Sequence, residues 1–460
     1  MQNLTHQRKS ILLLLLSMSI FLSVLDLFIV NVAIPKIRTV LHTSVADIQL
    51  VIVYYVIGYG AFLITSGKVG IKYGHKRVFV LSMLSFGLFS LLCGLATEIH
   101  ALNLYRLFQG ISGAFMVPQG VTLISHIYTE EAERRKAYAI YGAIAGMSSV
   151  LGQILGGVLP DLDYAFGAWR LIFLINVPIA LFVVVASWRF IPEVARKRDL
   201  KIQPLSQFVL VFLLVILMYS LVTGADLGWT FSLFFLLFSA MGGIIIFLCF
   251  QWEKYKEGKV TLLDFKPFTY KMFAVTLIAL VFYSLVQDSY FFIYANHFQL
   301  QLHYTATQTG ILFAFQGVGY VLASFLSLHF LARYQERFML FGLLLMVVGL
   351  VVHYTLLNSD EVLFYEVAFL LFEYGLGCGI VLPSMFTYAL SVLPTTFTAV
   401  GSSIYLTIQQ LSIALGVSMV GQVYFGSEQG HFNATILMIV LLLITGSVFY
   451  SQYKKNRRST

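Results

Sequence analysis

The first long apolar run of the chain contains a carboxylate, Asp26. A charged side chain within a membrane helix costs roughly 2.5–3.5 kcal/mol on insertion scales. Such a residue needs a partner, a water-filled cavity or a proton. A buried carboxylate favours its neutral form, and a neighbouring cation favours its charged form, so a change in either environment moves a proton. Reversible proton binding is the chemistry that Asp26 indicates.

Other ionisable side chains also lie within apolar runs. They are Arg106, Asp288, Glu366 and Glu373. An acid–base pair of Asp26 with Arg106, joined by the carboxylates of the second half of the chain, predicts a proton relay. The predicted proton-coupling residues are Asp26, Arg106, Asp288 and Glu373, whereas Glu366 lies close to the predicted outer surface. A static ion pair that holds two helices together is the alternative for Asp26 and Arg106.

Aromatic residues make up 15% of the chain, and most of them must face lipid or pack in the interior. Those beside buried polar groups are candidates to line a cavity for apolar or cationic ligands. The predicted cavity residues are Gln109, Gln153, Tyr290, Phe313, Gln316 and Tyr374.

The sequence contains no phosphate-binding glycine loop, metal-spaced histidine cluster or nucleophile elbow. We therefore predict no enzyme activity, no cofactor, no metal and no ATP site. The three cysteines, Cys93, Cys249 and Cys378, all lie in apolar runs and are interpreted as small hydrophobic residues. Energy for any transport must then come from an ion gradient or from the substrate.

The elements that position these residues are membrane-spanning helices. The chain is 59% hydrophobic and 11% charged, whereas a soluble domain carries about 25% charged residues. Apolar runs of about 20 residues predict helical spans. We predict fourteen spans, near 11–33, 47–67, 78–97, 102–127, 137–159, 170–190, 205–223, 229–250, 271–297, 306–329, 338–357, 362–389, 398–424 and 433–452.

The net charge of +8 reflects the loops between these spans. Most of the Lys and Arg residues fall in loops on one side of the membrane, which places both termini in the cytoplasm. We interpret this charge as the signature of a protein embedded in a lipid bilayer, and we predict no nucleic-acid partner.

An internal repeat relates the two parts of the chain. Gly110 and Pro118 of the segment that begins at Phe108 recur, at a constant offset, as Gly375 and Pro383 of the segment that begins at Glu373. The repeat predicts an N-terminal six-helix bundle over 1–200, an inserted hairpin and linker over 201–255 and a C-terminal six-helix bundle over 256–460. The hairpin is expected to be peripheral. Two related bundles with a site between them are typical of alternating access.

Three segments resemble motifs of the fourteen-span drug:proton antiporters in the major facilitator superfamily. Leu25–Pro35 is similar to the first-span signature L-D-x-T-x-V-N-V-A-L-P, although Phe28 replaces its Thr. Leu102–Ala114 resembles the fourth-span motif, whose Arg is implicated in proton transfer. Trp169–Pro178 resembles the W-R-x-x-F-x-I-N-x-P element that opens span six. The resemblance implies the major facilitator fold, an all-α polytopic membrane protein, in a bacterial cytoplasmic membrane.

Two further motifs resemble those of the family but depart from them. The loop motif G-x-L-x-D-R-x-G-R-R/K has Ile71 in place of its acid, so a latch between the halves that depends on that acid is expected to be weaker. The span-five motif G-P-x-x-G-G has Gln153 in place of its Pro. The predicted gating and packing residues are Gly67, Gly74, Lys76, Arg77, Gly152, Gly156 and Gly157. For the span-five glycines, helix packing alone is the alternative.

The sequence thus predicts a secondary transporter that exports amphipathic or cationic drug-like molecules in exchange for protons by alternating access. One alternative is a proton-coupled transporter of a defined metabolite, lipid or peptide-like substrate. Another is a transport-inactive membrane scaffold or sensor. The predicted partners are a small-molecule substrate and protons, and a monomer is the default state.

Overall fold

The structure is a computed structural model that describes residues 6–162, 167–193, 203–227, 229–262, 264–357, 363–394 and 397–459. Over these residues the chain is almost entirely helical, and no strand is assigned. The helices are α1 (His6–Leu41), α2 (Val45–Tyr73), α3 (His75–Leu95), α4 (Ile99–Ile127), α5 (Glu131–Asp161), α6 (Leu171–Leu174), α7 (Asn176–Phe190), α8 (Pro204–Leu227), α9 (Phe231–Lys256), α10 (Lys271–Asn296), α11 (Ala306–Leu357), α12 (Phe364–Ser391), α13 (Thr398–Phe425) and α14 (Gly430–Ser459).

Thirteen stretches of the described helices are long and apolar enough to cross a membrane. They confirm the prediction of a polytopic all-α membrane protein. The short helix α6 and helix α7 together form the sixth of these stretches, Ala168–Phe190. The predicted tenth span, 306–329, is not among the thirteen, and it lies in the first part of α11.

Helix α11 has 52 residues, which is enough for two crossings. Its first part runs parallel to α12, because Gln316 lies against Gly375 and Tyr320 lies against Gly379. Its second part runs antiparallel to the same helix, because Gly342 lies against Ile380 and Gly349 against Glu373. The chain therefore turns back between residues 320 and 342, so the tenth and eleventh spans both exist. The predicted loop at 330–337 is helical.

The helices pack in two groups. In the first, α1 packs on α4 and α5, α2 on α4, and α3 on α4 and α7. In the second, α10 packs on α13 and α14, and α11 on α12 and α14. Across the two groups, α5 packs on α11, α2 on α13 and α1 on α10. The domain boundaries predicted from the repeat are compatible with this grouping and stay a prediction.

Helix α8 packs against α2 of one group and α13 of the other. At one end, the Gln207 side-chain amide donates to the Ala61 carbonyl at 2.8 Å, and Thr65 donates to the Gln207 oxygen at 2.6 Å. At the other end, Gln422 of α13 donates to the Leu221 carbonyl. Helix α8 therefore joins the two groups, although few of its side chains are buried. Helix α9 packs on α8 and exposes most of its side chains. The peripheral position of the hairpin stays a prediction.

Candidate functional site

A buried ion pair joins helices α1 and α4. Arg106 Nη1 lies 2.5 Å from Asp26 Oδ2, and neither side chain is exposed. The pair lies near the middle of α1 and is fully enclosed by the first helix group. Removing both charges from water is costly unless each is paired and hydrogen-bonded. This arrangement meets that requirement for Asp26.

Two amides complete the environment of the Asp26 carboxylate. Gln109 Nε2 donates to Asp26 Oδ1 at 2.9 Å, and Asn176 Nδ2 donates to the same oxygen at 3.0 Å. Gln109 is on the same face of α4 as Arg106, as the spacing predicted. Asn176, the first residue of α7, was not predicted as a partner. In the sequence, Asn176 is noticeable only as part of the span-six motif. That motif does not indicate which residue the Asn contacts.

Arg106 is held by the backbone and by aromatic rings as well. Its Nε donates to the Val51 carbonyl of α2 at 3.1 Å. Its guanidinium lies 4.2 Å from the centre of the Tyr55 ring and 5.6 Å from that of Phe173. The Tyr55 hydroxyl in turn lies 3.2 Å from Ser23 Oγ of α1. Five helices, α1, α2, α4, α6 and α7, therefore meet at the ion pair.

The predicted carboxylates of the second group are not brought to this cluster. Asp288 on α10 is fully buried, and neither of its oxygens has a hydrogen-bond partner among the described residues. Both oxygens of Glu373 on α12 are also buried and unpaired within the described part of the chain. An unpaired buried carboxylate is stable only in its neutral form. The two groups thus hold their acids differently, with three hydrogen-bonding partners at Asp26 and none at Asp288 and Glu373 among the described residues.

The predicted cavity residues fall in four places. Gln109 belongs to the Asp26 cluster. Gln153 on α5 reaches Gln316 on α11 at 3.5 Å, across the two helix groups. Tyr290 and Tyr374 stack with ring centres 3.9 Å apart, inside the second group.

The remaining cavity residue, Phe313, belongs to an aromatic series that reaches from the second group to the first. Its ring centre lies 5.2 Å from that of Phe291, which lies 5.4 Å from that of Phe28 on α1. Phe28 is the residue that replaces the family Thr. The replacement therefore contributes an apolar contact between the two groups, two residues beyond Asp26.

The glycines predicted on α5 face two different helices. Gly152 and Gly156 lie against the backbone of α1 at Leu25 and Ile29, where a Cβ atom would clash. Gly157 lies against the start of α11, on the other side. The stripe therefore allows α5 to approach both a helix of its own group and one of the opposite group. Close packing accounts for all three glycines.

The predicted loop motif forms the tight connection between α2 and α3. Gly74 has φ 102°, a conformation that favours glycine, and its amide donates to the Gly70 carbonyl at 2.9 Å. Lys76 is half-buried and Arg77 is exposed. A Cβ atom at Gly67 would meet open space. Only Gly74 of these four thus has an evident conformational requirement.

Polar contacts tie this loop to its neighbours. His75 Nδ1 lies 2.7 Å from Gln119 Oε1, and Gln119 Nε2 donates to the Ser66 carbonyl at 2.9 Å. Lys68 donates to the Thr261 carbonyl at 3.0 Å, and burial lowers the pKa of this ammonium. The loop is therefore tied to α4 and to the segment that follows α9.

Three contacts close the end of the molecule that is opposite the N-terminus, and we refer to them as the closing contacts. They are the hydrogen bond from Thr307 Oγ1 to Asp161 Oδ2 at 2.8 Å, the hydrogen bond from Gln299 Nε2 to the Val32 carbonyl at 2.9 Å, and the Arg38 guanidinium 5.7 Å from the centre of the Phe425 ring. Each joins a helix end of the first group to one of the second.

The sequence matches the family described as Major Facilitator Superfamily over residues 16–417, with a second match over residues 276–458. The Probable actinorhodin transporter of Streptomyces coelicolor is 28% identical over 419 residues, which are 90% of this chain and 72% of that protein. The Multidrug resistance protein Stp of Mycobacterium tuberculosis is 26% identical over 411 residues, which are 88% of this chain and 74% of that protein.

A solved structure supports the fold. A bacterial homologue of the human lysosomal transporter Spinster, in an inward-facing and unoccupied conformation, superposes with a TM-score of 0.72. The two chains are 14% identical, and the superposition covers 97% of each.

Proposed function

Because the chain belongs to the Major Facilitator Superfamily, we propose that it exports amphipathic or cationic small molecules in exchange for protons. Relatives named for the transport of actinorhodin and for multidrug resistance support this substrate class. We place the protein in a bacterial cytoplasmic membrane with both termini inside, on the distribution of its basic loops.

One observation carries the proposal, the buried Asp26–Arg106 pair with its two amide donors. The helix that carries Asp26 also carries Phe28 and Val32, which contact the second group. A change in the contact between the groups therefore reaches Asp26 within two helical turns. Moving Asp26 relative to Arg106 alters the balance between its charged and neutral forms, which is a means of proton coupling.

The unpaired acids Asp288 and Glu373 complete the proposed relay. Each must be neutral while it stays buried, and each can ionise when the second group admits water or a cationic substrate. Competition between a proton and a cationic substrate for the same carboxylate produces exchange. Tyr290 and Tyr374 offer aromatic rings close to Glu373 on α12 for such a cation.

The closing contacts support alternating access. They lie at the end that the basic loops place outside the cell, so we interpret the conformation as open toward the cytoplasm. The opposite conformation requires that these three contacts separate. Gly157 and the Gln153–Gln316 pair lie on the same interface between α5 and α11 and would move with them.

The test is Asp26→Asn in energised inverted membrane vesicles. The amide keeps the size of the side chain but cannot exchange a proton at physiological pH. We expect a loss of proton-driven export of a lipophilic cation when the rate is divided by the amount of folded protein, because the unpaired Arg106 lowers stability as well. Glu366→Gln, which changes an acid near the outer surface, is the matched control and should export normally. Export by Asp26→Asn at the wild-type rate would overturn the proposal.

A second candidate function keeps the fold and changes the substrate to a defined polar metabolite or peptide-like molecule. The Gln153–Gln316 pair at the interface favours it, because a pair of amides suits hydrogen bonding to a polar substrate. The two candidates differ in proteoliposomes. A substrate-dependent pH change seen with one metabolite, and with no lipophilic cation, would favour the second.

A further inference from the structure

Two histidines stack on each other at the end of the second group that the closing contacts occupy. His297 follows α10 directly, and His431 lies in the first turn of α14. Their ring centres are 4.0 Å apart and their planes differ by 25°. The Tyr424 hydroxyl lies 3.3 Å from His297 Nδ1. Neither histidine is used by the proton-coupling residues described above.

The surroundings of both imidazole rings favour the neutral, unprotonated state. His297 Nε2 and both nitrogens of His431 are buried without a hydrogen-bond partner among the residues described. Neutral imidazole rings stack favourably, whereas two imidazolium rings at this distance repel each other. Histidine is also the side chain that changes charge most readily between pH 5 and 8. Protonation would therefore separate the two rings.

The groups around the pair come from five helices. They are Tyr294 on α10, His353 and Tyr354 on α11, Tyr424 on α13, His431 itself on α14, and the Arg38 guanidinium on α1, which reaches Phe425 beside Tyr424. His353 Nδ1 lies 2.7 Å from the Gly349 carbonyl. Arg38 is the one charged side chain in this set, and it contacts Phe425 and not the two histidines.

The pair is linked to a closing contact through the backbone. His297 begins a π-helical turn, His297–Gln301, and Gln299 in that turn donates to the Val32 carbonyl of α1. A π-helical turn is a local irregularity that often occurs at functional sites. A shift of His297 displaces Gln299, which lies two residues further along the same turn. The stack and the contact between the groups are thus parts of one unit.

We propose that the His297–His431 pair is a proton-binding site whose protonation releases the closing contacts. Protons on that side of the membrane then favour the conformation that opens toward them. This inference rests on the alternating access proposed above, and it adds a second place at which protons act, separate from Asp26. Protonation, separation of the rings, displacement of the π-helical turn and loss of the Gln299–Val32 bond form one coupled change.

The experiment measures the distance between the two groups directly, without substrate. Spin labels are attached to Val40→Cys and Gln429→Cys, which are exposed positions on either side of the closing contacts, in a Cys249→Ser background. Distances are recorded by double electron–electron resonance in nanodiscs at about pH 8 and about pH 5.5, on either side of the ordinary imidazole titration. We expect the longer-distance fraction to rise at least about twofold at the lower pH.

The test variant is His297→Phe with His431→Phe, which keeps two stacked rings but removes the titration. Its distance distribution should not respond to pH. The matched control is His42→Asn with His303→Asn, because these are exposed histidines on the same side with positive φ, a conformation that Asn tolerates. The control should keep the full response. If the Phe variant does not fold, His297→Gln with His431→Gln replaces it.

Two results would overturn the inference. One is a wild-type distance distribution that is the same at both pH values. The other is a pH response that persists in the variant lacking both histidines. Because no substrate is present, a failure of export in the Asp26→Asn assay would not produce either result, and the two proposals can fail separately.

Discussion

At the scale of single residues, the two helix groups hold acids in opposite ways. Asp26 accepts hydrogen bonds from Arg106, Gln109 and Asn176, so its charge is compensated. Asp288 and Glu373 have no such donors among the described residues. The two kinds of site should respond differently to mutation. Removing one member of the Asp26–Arg106 pair leaves the other charge buried alone, whereas Asp288 and Glu373 have no described partner to leave behind.

Arg106→Gln should therefore destabilise the protein by about 3–5 kcal/mol, because it leaves the Asp26 charge buried without its cation. Adding Asp26→Asn removes that charge and should restore most of the loss, although it cannot restore proton coupling. Thermal unfolding of the purified single and double variants in detergent measures both effects. If the two losses simply add, Asp26 and Arg106 are not energetically coupled, and the pair would not function as a unit.

Part of this site could be predicted from the sequence. Helical spacing placed Gln109 beside Arg106, and the cost of a buried charge predicted that Asp26 and Arg106 need each other. Asn176 could not be found in that way. It is 150 residues from Asp26, and a single Asn at a helix start has no periodicity that points to a partner. Its role depends on how α7 packs beside α1, which is a property of the bundle.

At the scale of elements, α5 is shared between the two groups. Gly152 and Gly156 face α1, and Gly157 faces α11. The sequence predicted a stripe of small residues on α5. It did not predict that some of them contact α1 and another contacts α11. Likewise it predicted a loop over 330–337, because polar and basic residues interrupt the apolar pattern there. Helix formation continues through that connection, since the same residues are good helix formers.

Substitutions on α5 should separate the two interfaces. Gly156→Val should destabilise the first group by about 1–3 kcal/mol, because its side chain would meet the α1 backbone. Gly157→Val should instead disfavour the closed end, because it pushes α5 away from α11. The distance between spin labels at Val40→Cys and Gln429→Cys reports closure, and thermal unfolding reports stability. Gly142→Val is the control, because a Cβ atom there meets open space.

The prediction for α5 fails if Gly157→Val leaves the distance between the spin labels at the wild-type value while lowering stability as much as Gly156→Val. In that case the three glycines serve packing in one and the same way, and α5 belongs energetically to the first group alone.

At the scale of the whole molecule, two groups meet at a closed end, and α8 spans both of them. The fold class and the existence of every span could be predicted from hydrophobic runs and from the internal repeat. Which end is closed could not be predicted, because one sequence must support both conformations of an alternating-access protein. The contact of α8 with both groups could not be predicted either, since an uncharged hairpin offers no polar pattern that indicates its neighbours.

A cross-link over the closed end should stop transport. In a Cys249→Ser background, Asp161→Cys with Thr307→Cys joins the two groups, because these side chains are in direct contact. We expect oxidation to abolish export and reduction to restore it. The matched control is Ser85→Cys with Ser112→Cys, whose oxygens are 2.8 Å apart within the first group. Normal export by the oxidised Asp161–Thr307 variant would show that this end does not need to open.

The ion pair also constrains how the protein is made. The partners of Asp26 come 80 and 83 residues later in α4, and 150 residues later in α7. During synthesis α1 must therefore leave the ribosome and reach the bilayer while its acid has no partner. Arg106 faces the same difficulty unless α1 stays nearby, since each costs roughly 2.5–3.5 kcal/mol alone in lipid. The first six spans are thus bound to assemble together beside the insertion machinery, and α7 completes the environment in which the first helix is stable.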